Sequence, residues 1–170
     1  RELRQTENLP DTRIQTDSYV AVQLLEQHKT LDFTTISAMA EKIQGSFVFT
    51  VLDRDDNLYF VRGDNPLAIF DFGGFYLYAS TKEILRRAMR KLRLHHREEI
   101  HTEEGDILKI DQAGRCSFGH FNPNHSLEHF WRNPRFRMLS WFDEVDDPEA
   151  IDGQTDLLIQ TAKSMGVSED

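Results

Sequence analysis

The hydrophobic positions of the chain recur first at helical spacing and then at extended spacing. Val20, Ala21, Leu24 and Leu25 form one stripe, which predicts a helix opening at Thr16 or Asp17, either able to cap it with a side-chain oxygen. Ile36, Met39, Ala40 and Ile43 form a second stripe after Asp32, with Gly45 as the expected stop. The period then changes. Residues 46–53 read SFVFTVLD, apolar on both faces, which predicts a strand covered on both sides. A turn at 54–57 leads to a partner strand at 58–61, and 67–72 with 75–79 reads as a hairpin around Gly73 and Gly74. These four strands are expected to form one antiparallel sheet. Residues 80–83 (STKE) match a capping box, opening a third helix with Ile84, Leu85, Ala88, Met89 and Leu92 inward. Residues 106–110 and 116–120 form a last hairpin. Strands with two apolar faces need cover above and below, so the fold class is α+β, with largely antiparallel sheets layered between helices.

Beyond Asn122 the pattern breaks. Phe130, Trp131, Phe136, Trp141 and Phe142 crowd a short stretch, followed by the acids Asp143, Glu144, Asp146, Asp147 and Glu149. A final helix is expected with Pro148 at its first position and Gly166 past its end. The organisation is thus a body at 1–121 and a tail at 122–170. Burying that many rings favours a docked tail, its acids near Arg86, Arg90 or Arg93.

Composition narrows the classes. Hydrophobic residues make up 39% and charged residues 29% of 170, enough for a packed core. A single cysteine, Cys116, rules out an internal disulfide and makes a reducing cytoplasm the expected location. No apolar run is long enough to cross a bilayer, so no membrane partner is expected. The formal net charge of −9 argues against general nucleic-acid binding. Locally, Arg86, Arg90, Arg93 and Arg97 fall at i, i+4, i+7 and i+11, one face if the helix runs on. A phosphate contact and a solvated basic face both fit that spacing, and the acidic run supports the second.

Five short segments, in order, resemble the glutaminase domain of class II glutamine amidotransferases, members of the N-terminal-nucleophile hydrolases. They are Gln15-Thr16-Asp17-Ser18-Tyr19-Val20, Ile43-Gln44-Gly45-Ser46-Phe47-Val48-Phe49, the passage from Val61-Arg62-Gly63-Asp64-Asn65-Pro66 to Leu67-Ala68-Ile69, Tyr76-Leu77-Tyr78-Ala79-Ser80, and Glu104-Gly105-Asp106-Ile107. The likeness spans residues 1–110. It implies a layered αββα sandwich that hydrolyses glutamine to glutamate and ammonia for an acceptor, with a synthase module as the possible partner and no cofactor. In that family an N-terminal cysteine, activated by its own amine, attacks the amide, and an H-N-G segment supplies oxyanion donors. Residues 1–170 contain no H-N-G and begin with Arg1, so no catalytic residue is assigned and this chain is expected to be inactive by itself. The alternative is a non-catalytic interaction or regulatory module that keeps the same fold.

Asp17 is the one residue the resemblance places in the substrate site, where it binds the α-ammonium of glutamine. Read locally, Asp17 is an N-cap, and both roles are compatible. Cys116, mid-strand, is expected to be a buried structural thiol. Cys116, His120, His125 and His129 have a ligand-like rhythm. On a strand, though, the first two would stand roughly 13 Å apart, too far for one zinc. His95 and His96 are read as a solvated pair.

Overall fold

The computed structural model describes residues 2–14, 16, 18–124 and 148–165. It is mixed α+β, and both of its sheets are antiparallel throughout. In chain order the elements are α1 (Glu2–Thr6), α2 (Ser18–Glu26), α3 (Phe33–Ala40), β1 (Val48–Leu52), β2 (Leu58–Arg62), β3 (Ala68–Asp71), β4 (Tyr76–Ala79), α4 (Lys82–Leu92), β5 (Glu98–Ile100), β6 (Asp106–Ile110), β7 (Cys116–His120) and α5 (Pro148–Ser164). They divide into two compact units. One takes the chain up to Asn65 together with the stretch from Glu103 through β7; the other takes Pro66–Thr102 with α5.

The first unit holds a four-stranded sheet of order β1-β2-β6-β7. Two local hairpins, β1–β2 and β6–β7, meet along the β2–β6 seam, where Val61 faces Ile107 and Leu58 faces Ile110. Asp32 caps α3 by accepting from the Thr35 amide at 2.8 Å, so the expected start of this helix holds. Its end does not: α3 stops at Ala40, and Ile43, instead of adding a helical turn, packs on the core from the following turn. That core joins Leu24 of α2 and Ile36 and Met39 of α3 to Tyr59, Val61, Ile107 and Phe121. Gly105 has φ +90, and a Cβ there would come within 2.8 Å of the Phe121 carbonyl, so only glycine fits this entry to β6.

The expected single sheet of four consecutive strands is not what forms. β2 spends its second edge on β6, and β3 and β4 build a separate three-stranded sheet of order β4-β3-β5. Pro66, which carries no N–H for a ladder, stands between β2 and β3. Double-sided burial also falls elsewhere than expected. Tyr59, Phe60 and Val61 of β2 and Ile69 and Phe70 of β3 are all buried, whereas β1 is an edge strand whose Leu52 is 65% exposed.

In the second unit, α4 packs on its sheet through Leu85 and Met89 against Phe70 and Leu77, with Leu158 of α5 added to the same cluster. The five inward residues read from the helical period are the five that are buried. The cap is one residue later than the capping-box match: Thr81, not Ser80, is the N-cap and accepts from the Ile84 amide at 3.4 Å. Lys91 pairs with Asp156 of α5 at 3.1 Å. The expected tail aromatics and the acids 143–147 lie outside the described residues, as does Gly166; Pro148 is the first residue of α5, where the sequence puts it.

Candidate functional site

Asp17 lies outside the described residues. Its chain neighbourhood does not. The connection from α1 to α2 is held by two side chains: Gln23, buried in α2, donates to the Pro10 carbonyl at 2.7 Å, and Arg4 donates to the Ile14 carbonyl at 3.3 Å. Leu9 is buried in the core below, and the Tyr19 amide donates to the Thr16 carbonyl at 3.2 Å as α2 begins. These contacts tie Pro10 to α2 and Ile14 to α1.

The second resembling segment enters β1 through Gly45, whose φ of +98 favours glycine. The third is stitched to the sheet around it. The Gly63 amide donates to the Phe47 carbonyl at 3.0 Å, the Arg62 carbonyl accepts from Gly105 at 2.8 Å, and Ser46 donates to Asp64 at 2.7 Å. Arg62-Gly63-Asp64 is thus a structural corner of the first unit.

Cys116 is exposed, contrary to the buried thiol expected. The reason is its position on β7, the outer strand of its sheet, where Phe118 is also 54% exposed. Cys116 and His120 begin and end β7, while His125 and His129 lie outside the described residues. His120 instead approaches Asp106 across the strand pair, Nδ1 to Oδ1 at 3.4 Å. His95 and His96 are both exposed, but the ring of His96 stacks on Phe70 with centroids 4.3 Å apart.

The carboxylates with depressed pKa values mark turns, caps and ion pairs. The Thr35 amide holds Asp32 below the usual range, and the Arg115 amide and side chain do the same for Asp111. At Asp53 burial acts upward, but the Asn57 side chain and the amides of Asn57 and Asp55 outweigh it. Arg87 lowers Glu83, and Lys82 lowers Glu99.

A charged concavity lies at the C-terminal end of α4. Arg86, Arg90, Arg93 and His95 surround a cavity of about 620 Å³ whose apolar lining is Met89 and Leu94. Arg97 does not join them. The helix ends at Leu92, Arg93 turns left-handed, and the Arg97 amide is tied to the Asp71 carbonyl at 2.7 Å.

No family model matches the chain, and no solved structure matches it. Among curated proteins it is similar to the ribosomal RNA small subunit methyltransferase C of Actinobacillus succinogenes, 31% identical over 90 residues. That likeness covers 48% of this chain and 27% of the methyltransferase, so the chain spans about a quarter of that protein's length. Among the described residues, no helix is long and apolar enough to cross a membrane.

Proposed function

We propose that this chain belongs to a class II glutamine amidotransferase domain, folded as an N-terminal-nucleophile hydrolase sandwich. With its N-terminal cysteine segment present, the domain would hydrolyse glutamine to glutamate and ammonia for an acceptor bound by a synthase partner. The observation that carries this reading is the order of the five resembling segments. Each falls at a junction of the fold: the entry to α2, the entry to β1 through Gly45, the corner from β2 to β3, β4 with its exit towards α4, and the entry to β6. Within each unit an antiparallel sheet has a helix packed against it, which is compatible with the α+β class. The likeness to a methyltransferase, over 48% of this chain and 27% of that protein, does not bear on this reading.

Within this reading Asp17 binds the α-ammonium of glutamine. The amide carbon is attacked by the thiolate of the N-terminal cysteine, giving a thioester and releasing ammonia; water then returns the free enzyme and glutamate. The test is an ammonia-release assay on the protein carrying its upstream segment, with glutamine and asparagine as substrates. Release from glutamine, abolished when the first cysteine is changed to alanine, is the expected result. An intact protein that starts with cysteine, carries H-N-G and releases no ammonia from glutamine would overturn the proposal.

A further inference from the structure

The cavity on α4 is built from the residues that end the helix. The Leu94 amide donates to the Met89 carbonyl at 3.0 Å and the Arg93 amide to the Arg90 carbonyl at 3.4 Å, with Arg93 at φ 50, ψ 31. This paired capping pattern is normally completed by glycine at the left-handed position, because a Cβ there is strained. Here an arginine occupies it, and its exposed side chain joins those of Arg86 and Arg90 at one concavity. Strained non-glycine residues concentrate where a side chain is needed for something other than the fold.

Charge points the same way. Arg86 and Arg90 share one face of α4 and Arg93 follows directly on its end, and like charges so placed repel. Among the described residues, Glu83 is the acid lining the cavity, and it is shared: Arg87 donates to it at 3.0 Å and Arg90 approaches it at 3.6 Å. Among the described residues three guanidinium groups line the cavity against that one carboxylate, with Glu99 also near enough to Arg86 to interact with it, on a chain whose net charge is −9. The helix C-terminus itself disfavours an anion, a cost that the arginines have to offset.

We propose that this cavity binds a small phosphate monoester, its phosphoryl group held by Arg86, Arg90 and Arg93 and its carbon body resting on Met89 and Leu94. A monoester carries close to two negative charges at neutral pH, and guanidinium forks fit phosphoryl oxygens in pairs. The volume of about 620 Å³ is that of a small-molecule site. A long polyanion would meet the acidic remainder of the surface and be repelled. The site stands on α4 alone and does not depend on the reading of the chain as an amidotransferase.

Calorimetric titration of the 170-residue chain tests it, with phenyl phosphate as the probe, inorganic phosphate as the comparison and a short RNA as the competitor class. Saturable binding of phenyl phosphate at about 1 mM or tighter, and tighter than inorganic phosphate, is expected. Arg90→Ala should weaken it about tenfold or more. Arg93→Gly should do the same while raising Tm, since it relieves the left-handed strain; that pairing separates lost binding from lost folding. Absence of saturable binding, equal affinity for inorganic phosphate, tighter binding of RNA, or indifference to both arginine variants would each overturn the proposal.

Discussion

Gly63 lies directly against Phe47. Its amide donates to the Phe47 carbonyl at 3.0 Å, and a Cβ built on it would stand 2.9 Å from that oxygen and 3.2 Å from the ring. The corner that leaves β2 is therefore closed to any side chain. Gly63→Ala should destabilise the protein by about 1–3 kcal/mol through forced displacement of Phe47. Urea denaturation measures this, and an unchanged midpoint would show that the corner yields without cost.

The helix cap on α4 gives a second expectation. Thr81 satisfies the Ile84 amide at the N-terminus, so Thr81→Ala should cost about 1 kcal/mol and Thr81→Gly only a few tenths. Thermal unfolding of the two variants side by side distinguishes capping from lost packing, since glycine removes more of the side chain than alanine does.

Acid should destabilise the fold in a defined direction. Asp53 sits below its ordinary 3.8 and Glu99 below its ordinary 4.5 in the folded state, as do Asp32, Glu83 and Asp111 below theirs. A group with a depressed folded pKa contributes stability that is complete above its unfolded value and is lost as pH falls through the folded one. Tm should hold steady down to about pH 5 and decline below it towards about pH 3. Asp53→Asn should make that decline shallower; a Tm that rose on acidification would contradict the assignment.

If the proposed function holds, Asp17→Asn in the protein carrying an N-terminal cysteine should raise KM for glutamine while leaving the fold in place. A neutral amide loses a charge-assisted bond to the α-ammonium, roughly 1.5–3 kcal/mol or about tenfold to over a hundredfold. Asparagine caps a helix about as well as aspartate, so Tm should move little. Steady-state kinetics with a parallel melt decide it: unchanged KM with a lowered Tm would leave Asp17 a cap and nothing more.

What the sequence reveals here depends on how local the cause is. The buried face of α4 is readable because five apolar residues repeat at helical spacing behind a hydroxyl cap. β6 and β7 match their expected bounds because Asp111 and Gly114 define the turn between them; Asp111 accepts from the Ala113 and Arg115 amides at 2.9 Å. α1 is too short to show a period, and β5 hides behind Glu98 and Glu99, charges that an outer strand tolerates. The split into two sheets is set by β2 choosing β6, a partner far along the chain that no local pattern announces. The arginine spacing on α4 is visible beforehand, but the exclusion of Arg97 is not, because Arg93 ends the helix without the usual glycine.

The interposition of Pro66–Thr102 within the first unit has a kinetic consequence. β1–β2 and β6–β7 are hairpins closed by short turns, and such pairings form in about 1–10 μs. The β2–β6 seam, by contrast, must gather the whole intervening excursion before Val61 meets Ile107. Its closure entropy is spent before any cross-strand contact repays it, so this seam should set the pace of assembly. That entropy grows only logarithmically with loop length. Trimming the excursion would therefore hasten folding only slightly, whereas a substitution that weakens either hairpin would slow it at the point where the two must meet already formed.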